Sequence, residues 1–163
     1  MIRKVSIKDA EEICGIYNYY ILNTIVTFED GALSKREMEK RIQQITSNYP
    51  WIVYVEDKRI LGYAYATMWK TRSSYKNTVE VTFYVNHDFT GKGIGSILCK
   101  GLLVKLKKKG YHSVIGGIAL PNEASVALHE KFGFKKVAHF HEVGHKFEKW
   151  IDVGYWELTI SKK

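Results

Sequence analysis

Hydrophobic positions along the chain follow two spacings, and each spacing predicts one kind of element. Apolar residues three and four apart predict amphipathic helices, the clearest of which carries Ile94, Leu98, Leu102 and Leu106 on one side. Runs of β-branched and aromatic residues predict seven strands, at 2–7, 51–56, 60–69, 78–85, 113–120, 134–142 and 153–160. The resulting order, β-α-α-β-β-β-α-β-α-β-β, indicates an α/β (α+β layered) fold with a mixed sheet flanked by helices.

Short signals mark the ends of several elements. Ser34 and Glu37 stand at the spacing of a capping box, which predicts the start of the second helix. Three lysines precede Gly110, where a left-handed residue is expected to end the long helix. Residues 57–59 predict a short hairpin turn between the second and third strands. No repeat or linker interrupts the chain, so its 163 residues predict one domain, 1–163.

Composition narrows the class of protein. Hydrophobic residues make up 45% and charged residues 26%, which is typical of a folded globular chain rather than a disordered one. The sequence predicts no signal peptide and no membrane span, so we expect a cytoplasmic protein. Cys14 and Cys99 form neither a disulfide framework nor a zinc spacing. The net charge of +8 suits nucleic acid, a phosphorylated cofactor or simple solubility equally well.

A glycine-rich turn follows the strand at 78–85 and opens the long helix. Glycines at alternate positions let a ligand approach the backbone closely, and helix N-terminal amides favour a phosphate. The spacing differs from a Walker loop, which needs Ser or Thr after its lysine, and from the dinucleotide fingerprint. The residues predicted to hold an anion are Gly91, Lys92, Gly93, Ile94, Gly95 and Ser96.

This turn resembles the pyrophosphate loop of the GNAT acetyltransferase superfamily, Arg/Gln-x-x-Gly-x-Gly/Ala, with Thr90 in place of the usual Arg or Gln. Further matches at 17–18, 24, 28–29, 69–80, 122–134 and 150–153 are similar to its phosphinothricin N-acetyltransferase branch. The resemblance implies a GNAT-type mixed, mostly antiparallel β-sheet, acetyl-CoA as the acetyl donor, and a homodimer.

By the same resemblance, the pantetheine arm of acetyl-CoA pairs with the backbone of Phe83, Tyr84 and Val85 like an added strand. Asn122 matches a second cofactor contact of the family. Asn is also a preferred helix N-cap, and the two roles are compatible.

Two residues are predicted to carry the chemistry. An α-amino group has a pKa of about 7.7–8.0, so a nearby carboxylate is a sufficient base for it. Glu80 matches the branch's proposed catalytic glutamate; the alternative is a strand carboxylate that faces solvent. His129 stands where many relatives have a tyrosine acid, and it can protonate the thiolate or help to take the amine proton. The alternative is an ordinary half-buried histidine.

The segment before the catalytic strand is expected to bind the acceptor. In the branch such a loop holds the carboxylate of an amino-acid-like substrate, a task that suits Lys70 and Arg72. The alternative is a solvated basic loop. Further substrate contacts are expected from Ser73, Ser74, Tyr75 and Phe28.

The C-terminal part departs from the branch pattern Gly-Tyr-Lys-Phe-Gly-x-Trp, because His145 replaces the tyrosine and Glu148 the glycine. His139, His141 and His145 can also be interpreted as metal ligands. Since no carboxylate stands at a fixed spacing from them, the sequence favours a polar edge strand and predicts no metal site.

Three functions therefore compete. The favoured one is an N-acetyltransferase that acts by direct attack on a small amino-acid-like amine. The second is a protein or peptide N-acetyltransferase of the same fold. The third is a basic nucleic-acid-binding module, which is disfavoured because the lysines at 107–109 end a helix, where the dipole favours cations, and no RNA motif accompanies them. We thus expect a small-molecule partner, no nucleic acid and no membrane.

Overall fold

In the computed structural model, which describes residues 1–161, seven strands and four α-helices follow in the predicted order. The strands are β1 (Ile2–Lys4), β2 (Trp51–Glu56), β3 (Arg59–Met68), β4 (Thr78–Val85), β5 (Ser113–Leu120), β6 (Lys135–Lys146) and β7 (Lys149–Thr159). The helices are α1 (Ala10–Asn23), α2 (Lys35–Thr46), α3 (Ile94–Lys108) and α4 (Glu123–Lys131).

The strands form one sheet in the order β1-β2-β3-β4-β5-β7-β6. Every neighbouring pair is antiparallel except β4 and β5, which run parallel because α3 connects them as a crossover. The predicted mixed, mostly antiparallel GNAT-type sheet is therefore confirmed.

Helices cover both faces of the sheet. On one face α1 and α2 bury Ile13, Ile21 and Met38 against β2 and β3. On the other face α3 buries Leu98 and Leu102 against the same strands and β4, and α4 packs beside β5. Burying such side chains contributes about 1.5–3 kcal/mol each. Within residues 1–161, no helix has the length and apolar character needed to cross a membrane.

Two of the predicted end signals act as expected. The Ser34 hydroxyl accepts a bond from the amide of Glu37, whose carboxylate in turn accepts from the amide of Ser34 at 2.7 Å. Gly110 has φ 81°, a left-handed conformation that glycine adopts without strain, and it follows the end of α3. Both helix boundaries thus lie where local sequence chemistry puts them.

The predicted first strand at 2–7 is too long. β1 ends at Lys4, and a 3₁₀ turn occupies Ile7–Asp9. The amide of Ser6 donates to the Asp9 carboxylate at 2.7 Å, and Arg3 forms an ion pair with the same carboxylate. These side-chain bonds compete with strand pairing and bend the chain into α1.

The last two strands are longer than the predicted segments 134–142 and 153–160. They extend to a two-residue turn in which Phe147 and Glu148 have φ 51° and 58°. This hairpin geometry normally carries Asn-Gly or Asp-Gly, so the sequence gives no turn signal here. The glycine expected by resemblance at position 148 is thus the residue that the backbone conformation favours.

We expect Glu148→Gly to stabilise the protein by about 0.5–1 kcal/mol, because glycine adopts the left-handed region without the clash that a Cβ produces. Urea unfolding measures the change, and Lys149→Gly, in the adjoining strand, is the matched control that should lower the free energy of unfolding. A loss of stability in Glu148→Gly would contradict the strain assigned to this turn.

Candidate active site

The central feature of the site is a split between β4 and β5. The two strands are paired at Thr78, Val79 and Glu80 of β4, and beyond Glu80 they diverge. β4 nevertheless stays paired with β3 up to Val85, and β5 stays paired with β7 along its whole length. The neighbouring strands β3 and β7 therefore hold β4 and β5 apart, and the opening does not result from fraying at a strand end.

The split leaves backbone groups of β4 without a strand partner. The amide of Asn86 bonds to β3 at 2.8 Å. Because bonding alternates along an antiparallel strand, Tyr84 also faces β3, whereas Phe83 and Val85 face the split. The Tyr20 hydroxyl donates to the Val85 carbonyl at 2.5 Å. The Val85 amide and both backbone groups of Phe83 thus remain available to an extended ligand. The backbone of Tyr84, which was also predicted to pair with the ligand, faces β3 instead.

The predicted anion turn opens on the same cleft. Gly91 and Gly93 have φ 74° and 80°, a backbone conformation that residues with a Cβ rarely adopt. Gly93 is the N-cap of α3. The first bond within the helix runs from the amide of Ile97 to the carbonyl of Gly93, and no side chain caps the earlier amides. The amides of residues 94–96 are therefore free to bind a phosphate.

A cleft of about 670 Å³ joins the turn to the split. Its walls contain all the residues predicted to bind the cofactor or carry the chemistry, with one exception. The exception is Lys92, whose ammonium lies 4.6 Å from the ring centroid of Phe89. Lys131, which the sequence analysis missed, lines the cleft and donates to the Ser96 hydroxyl at 3.0 Å. A lysine nine residues after a capping Asn is no signal by itself, so only the fold reveals it.

The start of α4 forms another wall of the cleft. The side-chain oxygen of Asn122 accepts from the amide of Ser125 at 3.2 Å, so Asn122 is the N-cap of α4, as one of its two predicted roles requires. It also lines the cleft. The structure thus leaves its other role, cofactor contact, open to the same residue.

His129 is buried beneath the split. Its Nδ1 lies 2.7 Å from the Ser125 carbonyl, which only accepts, so Nδ1 carries the proton and Nε2 of the neutral ring has a free lone pair. Nε2 is buried without a hydrogen-bond partner. Burial lowers the pKa of His129 against the opposing effect of the Ser125 carbonyl. An unpartnered buried nitrogen in a cleft indicates a place for a ligand group.

Two glycines of β5 leave room for the side chains of His129 and Glu80. A Cβ on Gly116 would lie 2.4 Å from Nε2 of His129, and one on Gly117 would lie 3.2 Å from Oε1 of Glu80. Successive Cβ atoms of a strand point to opposite faces, so the imidazole and the carboxylate approach the split from opposite sides of the sheet. Interior strand glycines often mark such close approach, a signal that the sequence analysis passed over.

Glu80 also borders a second cavity of about 460 Å³ on its own face of the sheet. Burial raises the pKa of the Glu80 carboxyl. Phe28, predicted to contact substrate, lines this cavity, with its ring against Gly144. The cavity is mainly apolar; its other lining residues are Val26, Thr27, Gly117, Ala119, Phe140, Val143, Val153 and Tyr155. Glu80 and Gly117 line both cavities, so the two spaces meet at the split.

The predicted carboxylate-binding segment lies outside both cavities in the single chain. Lys70, Arg72 and Tyr75 are exposed, as are Ser73 and Ser74 between them. The segment begins next to Trp69, whose ring packs edge-on against Tyr155 at 5.5 Å. It therefore stands near the mouth of the second cavity rather than in its wall.

Comparison with known proteins identifies relatives of this chain and its fold. The acetyltransferase (GNAT) domain family matches residues 2–154. The chain is 36% identical over 160 residues to a phosphinothricin N-acetyltransferase of Streptomyces viridochromogenes, covering 98% of this chain and 87% of that protein. It is 31% identical over 156 residues to an L-methionine sulfoximine/L-methionine sulfone acetyltransferase of Salmonella typhimurium, covering 94% and 91%.

A solved structure has the same fold. The crystal structure of a phosphinothricin acetyltransferase of the GNAT superfamily from Sinorhizobium meliloti, in complex with acetyl-CoA, superposes with a TM-score of 0.94 at 30% identity. The match covers 98% of this chain and 87% of that one.

We expect the imidazole of His129 to titrate below the ordinary value of 6.5, because burial disfavours its charged form. The folded state should accordingly lose stability as the pH falls from about 6.5, since only the unfolded chain binds this proton readily. An NMR titration, assigned with a His129→Gln variant, measures the midpoint. A midpoint at or above 6.5 would show that burial does not control this ring.

Proposed function

This chain belongs to the GNAT acetyltransferase family and is an acetyl-CoA-dependent N-acetyltransferase, and we propose that its acceptor is the α-amino group of a small amino-acid-like substrate. Relatives that match most of its length are named for phosphinothricin and for methionine sulfoximine or sulfone. These acceptors are free amino acids whose side chains end in a polar tetrahedral group.

The observation that carries the proposal is the position of Glu80 where the two cavities meet. One cavity has the unpaired strand edge and free helix amides that suit a long phosphorylated donor. The other is mainly apolar and, at about 460 Å³, has the volume of a small-molecule site rather than of a protein-binding surface. A carboxylate at their junction is placed to serve a reaction between the two ligands.

The residues present fit acetyl-CoA. We propose that the Phe83 and Val85 backbones bind the pantetheine arm, and that residues 91–96 bind the pyrophosphate, with Lys131 adding charge. Asn122 would contact the arm from the opposite wall. The absence of a side-chain cap on α3 supports this proposal, because the first amides of α3 then have no protein partner and suit an anion.

We propose that Glu80 accepts a proton from the attacking amine, directly or through one water. The new C–N bond forms as the thioester C–S bond breaks, and the proton lost by the nitrogen is passed on to the sulfur, so that coenzyme A leaves as a thiol. A pKa raised by burial makes the Glu80 carboxylate a stronger base than an exposed one. Activity should accordingly fall as the pH drops through the pKa of Glu80.

His129 lies on the opposite face and, in the tautomer found, offers a lone pair rather than a proton. We therefore propose that Nε2 accepts the proton lost by the nitrogen and passes it to the thiolate, rather than acting as a pre-protonated acid. The lowered pKa of His129 supports this role, because the ring is then neutral at pH 7.

For the acceptor, we propose that Phe28 contacts the side chain and that Arg72, with Lys70, binds the carboxylate at the cavity mouth. The exposed segment that carries them, including Ser73, Ser74 and Tyr75, would close over the bound amino acid. The homodimer stays a prediction. Val143, Phe147 and Trp150, three exposed apolar residues of the β6–β7 hairpin, are consistent with it.

The proposed acceptor class is tested by measuring thiol release from acetyl-CoA with phosphinothricin, methionine sulfone and methionine sulfoximine. Each is compared with its carboxamide, which lacks the carboxylate that Arg72 is proposed to bind. We expect the amide to lower kcat/KM by about tenfold or more, and Arg72→Ala to remove most of that difference. Peptides acetylated better than free amino acids would instead support the alternative, a peptide N-acetyltransferase.

Glu80→Gln should lower kcat by on the order of 10²–10⁴-fold while leaving acetyl-CoA affinity nearly unchanged, because it removes the base but keeps the shape. Single-turnover kinetics and calorimetry with acetyl-CoA separate the two effects. The matched control is Glu157→Gln, an exposed carboxylate on β7 beside β5. An equal loss of kcat in both variants, or a parallel loss of acetyl-CoA affinity, would refute the role of Glu80.

A further inference from the structure

The β6–β7 hairpin brings two histidines of one strand against a carboxylate of the next. Nε2 of His139 lies 2.7 Å and Nδ1 of His141 lies 3.1 Å from Oδ2 of Asp152. All three ligand atoms lie within 4.8 Å of one another, and within residues 1–161 this is the one such group. The sequence offers no fixed spacing for it, because strand pairing across the hairpin supplies the carboxylate.

We propose that His139, His141 and Asp152 form a binding site for a divalent transition-metal ion such as Zn²⁺. Histidines two residues apart on a strand project from the same face, so both nitrogens can reach one ion. Zinc binds imidazole nitrogen at about 2.0–2.1 Å and carboxylate oxygen at about 2.0–2.2 Å. Ligand atoms at a tetrahedral angle then lie roughly 3.4 Å apart, so opening the present contacts by roughly 0.5 Å admits the ion.

The surroundings orient the ligands. The second oxygen of Asp152, Oδ1, accepts from the amide of Glu142 at 2.8 Å, which fixes the carboxylate toward the imidazoles. The His141 side chain is 80% exposed, so the ion and one or more waters have direct access. Glu142 has φ 54° at an irregularity between β6 and β7, and this irregularity brings His141 opposite Asp152.

None of the three proposed ligands lines the donor cleft or the second cavity. Phe140, between the two histidines, points to the opposite face of the sheet, where it lines the second cavity with Glu80. Asp152 instead borders a cavity of about 550 Å³ beside α4, on the other face, which adjoins the donor cleft at Asn122 and Ala127. Metal binding can therefore be measured without reference to the acetyl-transfer reaction.

One contact of His139 opposes metal binding, and removing it tests the proposed site. The ammonium of Lys136 lies 2.8 Å from Nδ1 of His139, which must carry a proton when Nε2 binds metal. Lys136 is exposed, so it can move aside at a cost. Replacing it with glutamine removes the charge and supplies an acceptor for Nδ1–H.

The experiment uses the full chain without a histidine tag, dialysed against a chelator and titrated with zinc chloride by calorimetry. We expect about one Zn²⁺ per chain, with affinity lowered roughly 10- to 100-fold in His141→Gln and in Asp152→Asn. His145→Gln, on the same strand but outside the group, should bind as the original chain does. Lys136→Gln should bind several-fold more tightly, since it removes the opposing cation.

Absence of stoichiometric binding would overturn the proposal, as would equal binding by the original chain and His141→Gln. The His141 variant keeps the test decisive if Asp152→Asn fails to fold, because an exposed side chain contributes little to stability. Equal or weaker binding by Lys136→Gln would overturn the assignment of His139 Nε2 as a ligand.

Discussion

The whole site depends on the loss of hydrogen-bond pairing between β4 and β5 after Glu80. Strand groups buried without partners cost free energy, so such an opening lasts only when other contacts hold it. Here the pairing of β4 with β3 and of β5 with β7 holds both strands in place. The divergence is thus built into the sheet, and a ligand that runs along β4 gains its bonds without paying to separate the strands.

The same split gives the site two sides of different chemistry. Gly116 and Gly117 allow His129 and Glu80 to approach β5 from opposite faces, which a larger residue at either position would prevent. Burial moves their pKa values in opposite directions, up for Glu80 and down for His129. Both shifts favour the uncharged forms of the two side chains. The pair is therefore suited to accept and pass on one proton rather than to bind an ion.

The features of the fold and site that depend on neighbouring residues in the chain could be predicted from the sequence, and those that depend on strand pairing could not. The turn from β4 to α3 was predicted from its closely spaced glycines, and the structure adds that Gly91 and Gly93 have left-handed φ. Glu80 could be identified on its strand, but not the face from which it reaches the split, because that depends on β5. The turn at Phe147 was missed since nothing in its residue types signals positive φ, and the strands on either side impose it. Asp152 was overlooked as a neighbour of the histidines for a similar reason, since only the register of β6 on β7 brings them together.

The β6–β7 hairpin shows how strand periodicity divides one segment between two surfaces. Phe140 lines the second cavity, while His139 and His141 on either side of it meet Asp152 on the other face. A shift of one residue in register would exchange the two faces and place imidazoles in an apolar cavity. The pairing of β6 with β7 is irregular just beyond Phe140. There the amide of Glu142 donates to the Asp152 carboxylate, which favours this register over its neighbours. The carboxylate that contacts both histidines thus lies next to the paired residues, Phe140 and Val153, that line the second cavity.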